Sequence, residues 1–314
     1  MTNIDLDAYF GHKAEPEGFR SGFVALTGRP NAGKSTLLNQ LLGQKVAIVS
    51  DKPQTTRTKI QGIYTDERMQ AVFFDTPGIH KPKSRLGEYM NKAADSVCGD
   101  VDVICYLLDA SKPFFKSDEV ICTRLLAGKA PVFLLLNKID LLTDEQAAAL
   151  RDECAARFPF ARVLLLSAAN GDNVNELLDA LHDALPVGPR YFDEEQVTDQ
   201  PERQIMAEII REKLFHATRD EIPHSAAVML EQYKRRENGM LYLEAYIYVE
   251  RDSQKGIVIG KGGSMLQRIG SAARQELEEL FDEEIFLDLR VKVRKDWRDD
   301  PRLLRGLGYD EKKL

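Results

Sequence analysis

Along the first part of the chain, short continuous apolar runs alternate with stretches in which apolar residues recur every three or four positions. The runs predict strands near residues 22–28, 58–65, 69–75, 101–109, 131–137 and 161–166, with helices between and after them. Runs such as Val132-Phe-Leu-Leu-Leu136 show no polar alternation, which fits strands buried on both faces of a parallel sheet. The second and third strands stand too close for a crossover helix. They form a hairpin over Thr65-Asp-Glu-Arg68, making one edge antiparallel. The pattern predicts an α/β unit with a mixed six-stranded sheet, ending in a helix over 173–185 that stops at Pro186.

Beyond Pro186 the periodicity lapses. Residues 187–201 mix turn formers and charge and read as an interdomain linker too short to be floppy, in which Pro189-Arg-Tyr-Phe192 is a candidate to dock on a domain. A helix over 202–217 follows. Two strands over 224–233 and 240–251 are joined by Lys234-Arg-Arg-Glu-Asn-Gly239, whose Asn-Gly is a strong hairpin signal. Gly256-Ile-Val-Ile-Gly260 then leads through Lys261-Gly262-Gly263 into an amphipathic helix over 264–281 and a last strand over 284–294. In that strand Ile285, Leu287, Leu289, Val291 and Val293 share one face, and Arg290, Lys292 and Arg294 the other. The expected division is an N-terminal extension 1–20, a nucleotide-binding domain 21–186, a linker 187–201, and an α+β domain 202–314 with a basic tail.

Composition supports two folded units, because 314 residues exceed what one core usually serves. The net charge of −7 argues against adhesion of the whole surface to nucleic acid or anionic lipid. From Pro201 onward there are 21 basic against 22 acidic residues, so any nucleic-acid footprint there would have to be a focused groove, with Glu276, Glu278, Glu279, Asp282, Glu283 and Glu284 pointing elsewhere. Cys98, Cys105, Cys122 and Cys154 are scattered without a paired motif and read as buried reduced thiols in cytosol. The acidic N-terminus lacks the features of a signal peptide, and no stretch of eighteen apolar residues follows. A cytoplasmic protein is expected, with a peripheral contact on the cytoplasmic face of the membrane left open.

Candidate chemistry lies where strands end. Gly28-Arg-Pro-Asn-Ala-Gly33-Lys34-Ser35 stands between a strand and a helix and reads as a phosphate loop. Backbone N–H groups from Asn31 to Thr36, Ala32 and Gly33 among them, would cradle phosphates; Lys34 would reach the β- and γ-phosphates and Ser35 would hold Mg²⁺. Asp75-Thr76-Pro77-Gly78 follows another strand. There Asp75 would hold Mg²⁺ through water, and Gly78 would offer its N–H to the γ-phosphate, so that residues from Thr76 to about Arg85 order when it is present. In Gln54-Thr55-Thr56-Arg57-Thr58, Thr56 is favoured over Thr55 as a second Mg²⁺ and γ-phosphate sensor. Lys34, Thr56 and Gly78 are thus the candidate catalytic residues. Asn137-Lys138-Ile139-Asp140 selects guanine, since a buried Asp140 would accept from its N1–H and amine and be left unpaired by adenine. Asn137 would bridge base and phosphate loop, Lys138 lie along the purine face, and the N–H groups of Ser167-Ala168-Ala169 reach the guanine oxygen.

In the second domain, Gly260-Lys261-Gly262-Gly263 joins two helices closely enough for bare backbone to meet the sugar–phosphate chain of a single strand. Lys292, Arg294, Lys295, Trp297 and Arg298 add basic side chains beside an aromatic, suited to phosphate contact and base stacking or, alternatively, to a solvated tail with one anchoring Trp.

Gly-Arg-Pro-Asn-Ala-Gly-Lys-Ser, Pro53-Gln-Thr-Thr-Arg57 and Asp-Thr-Pro-Gly, in this order, resemble the Era family of translation-factor-related GTPases. The helix, two strands, Gly-x-x-Gly and strand that follow resemble a type II KH domain, so the resemblance covers residues from about 20 to 305. It implies a GTPase that binds the 3′ end of 16S ribosomal RNA and acts in maturing the 30S subunit, with no DNA partner. Ile79 stands where Ras-like GTPases carry the water-positioning glutamine, so unassisted hydrolysis is expected to be slow. Resemblance to these hydrophobic-substituted GTPases also implies a K⁺ ion at Asn31; His80 reads as a solvent-facing switch residue. Two alternatives share every residue of the nucleotide site: a membrane-proximal or cell-cycle switch whose second domain docks protein, and a tRNA-modifying or ribosome GTPase with another partner.

Overall fold

The computed structural model describes residues 16–79, 82 and 84–313. The first domain runs β1 (Arg20–Gly28), α1 (Lys34–Leu42), β2 (Ile60–Thr65), β3 (Met69–Asp75), α2 (Arg85–Val97), β4 (Val103–Asp109), α3 (Lys116–Leu126), β5 (Val132–Asn137), α4 (Asp144–Arg157), β6 (Arg162–Leu166) and α5 (Val174–Ala184). Its six strands lie in the order β2-β3-β1-β4-β5-β6, parallel except for the β2–β3 hairpin. Successive residues of each strand face opposite sides, which builds two cores. Val24, Leu26, Cys105 and Leu107 pack against Leu37, Leu41, Leu177 and Leu181 of α1 and α5. Ala25, Ile104, Tyr106 and Leu134 pack against Val97, Cys122, Leu125 and Cys154 of α2, α3 and α4. Three of the cysteines are thus core residues, and burial pushes their thiol pKa values up.

The linker is strapped to this domain. Val187 bridges Arg20 and Thr198 bridges Gly62, while the Gln70 side chain accepts from the N–H groups of Tyr191 and Phe192 and donates to the Phe192 carbonyl. Tyr191 stacks on Phe23 with centroids 4.9 Å apart.

The second domain runs α6 (Glu202–Ala217), α7 (Ile222–Ser225), β7 (Ala227–Arg235), β8 (Leu241–Val249), α8 (Asp252–Ile259), α9 (Ser264–Phe281), β9 (Ile285–Val293) and α10 (Pro301–Gly306). Its sheet is β7-β8-β9, with β7–β8 antiparallel and β8–β9 parallel. Leu243, Ala245 and Ile247 cover α6 and α9 through Ile210, Leu214, Ala273 and Leu277. β7 begins three residues later than its apolar pattern predicts, because Pro223 opens the short helix α7 instead.

Candidate functional site

At the carboxyl edge of the parallel strands, Gly28 and Gly33 have φ of 151° and 101°. A Cβ on Gly28 would stand 2.5 Å from the Leu107 carbonyl oxygen, and one on Gly33 would strike the Asn137 side chain. Only glycine fits this turn. Lys34 begins α1, buried, and its ammonium donates to the carbonyls of Gly28 and Arg29 at 3.3 and 3.1 Å. Burial lowers its pKa while Asp75 opposes that. Asn31, Gly33, Lys34, Ser35 and Thr36 line a cleft with Val49, Thr56 and Gly78.

Three candidate metal-holding side chains meet at one corner of this cleft. The Ser35 hydroxyl donates to Asp75 Oδ2 at 2.5 Å and lies 2.9 Å from Thr56 Oγ1, which is 3.4 Å from the same carboxylate oxygen. Thr55 turns its hydroxyl away, to the Lys52 carbonyl at 2.7 Å. Asp75 Oδ1 is buried with no hydrogen-bond partner among the described residues. Burial, partly offset by Lys34, raises the Asp75 pKa to about 6. Two hydroxyls and an under-satisfied carboxylate are an all-oxygen donor set of the kind Mg²⁺ takes. Gly78 lies against the phosphate loop, where a Cβ would approach Pro30 N to 2.7 Å. The Ile79 N–H donates to the Gly28 carbonyl. His80, predicted to face solvent, lies outside the described residues.

The residues expected to select guanine form a tied cluster. Asn137 donates to the Ala32 carbonyl at 2.8 Å and accepts from the Ala168 N–H at 2.9 Å, joining the phosphate loop to the loop after β6. Lys138 has φ of 71°, and its ammonium is held 2.8 Å from Asp109 Oδ2. Burial alone would raise the Asp109 pKa, yet bonds from Lys138, Ser111 and Lys112 hold it at about 2. Ser167 donates to Asp140 at 2.6 Å. One expectation needs correction: Asp140 is exposed rather than buried, because it lies on the turn beyond β5 at the open sheet edge; Ala169 is exposed there too. Discrimination against adenine therefore requires the base itself to cover the carboxylate.

In the second domain, Gly260, Gly262 and Gly263 all have positive φ, and a Cβ on Gly262 or Gly263 would meet nothing within 4 Å. The Gly262–Gly263 end of the loop is bare and open, whereas a Cβ on Gly260 would strike Met265, and Lys261 is exposed. From Gly263 a groove runs between α9 and the edge strand β9, lined by Gly270, Arg274, Phe286 and Leu289. Lys292 and Arg294 lie over the rings of Tyr246 and Tyr248, and Lys295 is exposed. Arg298 makes a two-point ion pair with Glu250. Trp297 overturns its assignment as a base-stacking residue. It is fully buried, its indole N–H donates to the Ser225 carbonyl at 2.8 Å, and it packs on Leu86, Tyr89 and Met90 of α2 with Leu304 and Tyr309. An indole enclosed by both domains offers no face to a nucleotide.

Sequence reasoning missed this interdomain contact. Arg57, 1% exposed, donates to the carbonyls of Ala226 and Pro223 at 2.7 and 2.9 Å, at the C-terminal end of α7. Arg211 of α6 returns a bond to the Thr55 carbonyl, and Glu212 accepts from the Val49 N–H at 2.8 Å. Thr56 thus sits between two residues anchored to the other domain. The only advance signal was a basic residue beside the threonine pair; nothing local marks Arg211.

A family description of a 50S ribosome-binding GTPase matches residues 23–138, and one of a KH domain matches residues 221–298. A protein named GTPase Era from Lacticaseibacillus paracasei is 51% identical over 94% of this chain and 98% of its own length. One from Geobacter metallireducens is 51% identical over 93% and 98%. The crystal structure of an Aquifex aeolicus Era variant bound to GDP and AlF4⁻ superposes with a TM-score of 0.90 at 39% identity, covering 93% of this chain and 99% of that one. An Era structure in complex with MgGDPNP and nucleotides 1506–1542 of 16S ribosomal RNA gives the same TM-score, identity and coverage. With likeness of this extent along nearly all of the chain, which carries both the Gly28–Ser35 turn and a Gly-x-x-Gly domain, the protein belongs to the Era family of GTPases.

Proposed function

We propose that this GTPase is a switch that holds the 3′ end of 16S ribosomal RNA in the α9–β9 groove and acts in the cytoplasm on the maturing 30S subunit. The observation that carries the reading is the bare Gly260–Gly263 loop opening into a groove along an unpaired strand edge, on a chain whose relative of the same fold is bound to that RNA. Backbone N–H groups of the loop meet phosphates, Lys261 adds charge, and the free edge of β9 offers donors and acceptors to base edges. A 16S fragment, rather than a large-subunit RNA, favours the small subunit.

In the nucleotide site, Asp140 and Asn137 select guanine, Lys138 lies on the purine face, and Lys34 with the N–H groups of residues 31–36 binds the phosphates. Ser35 and Thr56, with Asp75 behind them, would hold Mg²⁺, which neutralises charge on the β- and γ-phosphates. Gly78 senses the γ-phosphate. Ile79 beside it can neither donate to nor accept from water, so a slow intrinsic rate is expected. Asn31 is the residue to coordinate K⁺; equal turnover in K⁺ and Na⁺ at matched ionic strength would remove that assignment.

The main test is Gly260→Asp with Gly263→Asp. RNA crosslinking to the 16S 3′ end should be lost while GTP binding by calorimetry is unchanged. Unaltered crosslinking would favour a second domain that docks protein.

A further inference from the structure

The face of the second sheet turned away from α6 and α9 carries aromatic and basic residues where a solvated sheet would show short polar ones. Tyr242 of β8 and Phe286 of β9 are register partners; their rings lie 13° from parallel with centroids 5.9 Å apart. The Arg236 guanidinium lies across both, 4.6 and 4.7 Å from the two centroids, and the Lys234 ammonium is 5.2 Å from the Tyr242 ring. Phe286 is 47% exposed. Among the described residues neither Lys234 nor Arg236 has a carboxylate partner, because the nearby Asp288 and Glu283 are taken by Arg290 and Arg235.

This shelf continues the groove. Phe286 lines the groove at the end away from Gly263, so a chain leaving there meets the shelf on crossing the β9 edge. Rings and a guanidinium plane are stacking surfaces for unpaired bases, and a cation without a carboxylate partner is available to a phosphate.

We propose that Phe286, Tyr242 and Arg236 form a stacking subsite that takes one unpaired RNA base beyond the groove, with Lys234 on the adjoining phosphate. The inference rests on the reading of the groove as a single-strand site, and its failure is separable from failure of that reading. The Gly-x-x-Gly loop reads backbone and carries no ring, so the shelf supplies what the loop lacks.

The test uses the full chain and single-stranded RNAs of the 16S 3′-end sequence, trimmed stepwise from each end and carrying 2-aminopurine at successive positions. One position should be quenched on binding the wild type and recover in Phe286→Ala. That variant should lose roughly tenfold in affinity for RNAs containing the position and keep its affinity for those trimmed short of it. Phe286→Tyr should restore both readouts, which excludes a general folding defect, and Arg236→Gln should weaken only the longer RNAs. If no position is quenched, or Phe286→Ala binds long and short RNAs as the wild type does while the Gly260→Asp, Gly263→Asp variant binds neither, the shelf is overturned and the groove stands. If the double variant binds the short RNAs normally, the groove reading fails instead.

Discussion

Asp75 concentrates the physical tension of the nucleotide site in one side chain. Its carboxylate has one oxygen bonded to Ser35 and Thr56 and the other buried without a partner among the described residues, and burial raises its pKa from 3.8 to about 6. A carboxyl pKa raised in the fold stabilises the protein fully below the unfolded value and loses that contribution as pH rises through the folded one. In magnesium-free protein, Asp75→Asn should therefore gain stability over the wild type by about 1 kcal/mol as pH goes from about 5 to about 7.5. Urea melts at the two pH values measure it. A pH-independent difference would mean the carboxylate is solvated in the metal-free protein.

At the scale of elements, the loop between α1 and β2 is held by the second domain through Arg57, Arg211 and Glu212. Arg57 caps the end of α7, where carbonyl oxygens lack helical partners, and packs over Trp297 and Phe215 at 5.7 and 5.8 Å. Arg57→Ala should destabilise the protein by about 3 kcal/mol, because it leaves buried carbonyl acceptors unpaired and opens a void. Arg57→Lys should recover only part, since an ammonium cannot reproduce the guanidinium fork. Thermal melts check both; a loss within error for the alanine variant would show that the contact opens readily.

For the whole molecule, the two segments proposed to sense nucleotide touch the second domain at separate points. The segment holding Thr56 is anchored through Arg57 and Arg211, and the helix after Gly78 packs through Leu86, Tyr89 and Met90 on Trp297 and Tyr309. We propose that ordering of these segments by GTP changes the fit between the domains, and with it access to the proposed RNA groove. Trp297, the one tryptophan, reports the contact. Its emission should shift between GDP and a non-hydrolysable GTP analogue, and RNA affinity should differ between the same two states. Identical emission and affinity would leave the two sites uncoupled. Because the net charge is −7, RNA affinity should fall with salt as for only a few phosphate contacts, roughly three to five.

Much of this was legible in the chain itself. Strand and helix placement followed from apolar period, with the helix over 202–217 and the helix over 264–281 matched at both ends, since packing on one face imposes a period that local residues must obey. The phosphate loop and the Gly-x-x-Gly turn were legible because glycine at positive φ is a local requirement. Trp297, Asp140 and Arg57 were not. Whether a tail indole is exposed and which carbonyls a guanidinium reaches depend on residues more than a hundred positions away in the other domain, and how far a turn carboxylate protrudes depends on the sheet edge it stands on. Sequence alone determined the elements, their order and the chemistry each loop carries, because those rest on short-range sterics and periodicity. Tertiary structure decided which side chains the domain contact buries, and so which basic and aromatic residues remain open, because burial is set by surfaces that meet only once both domains are folded.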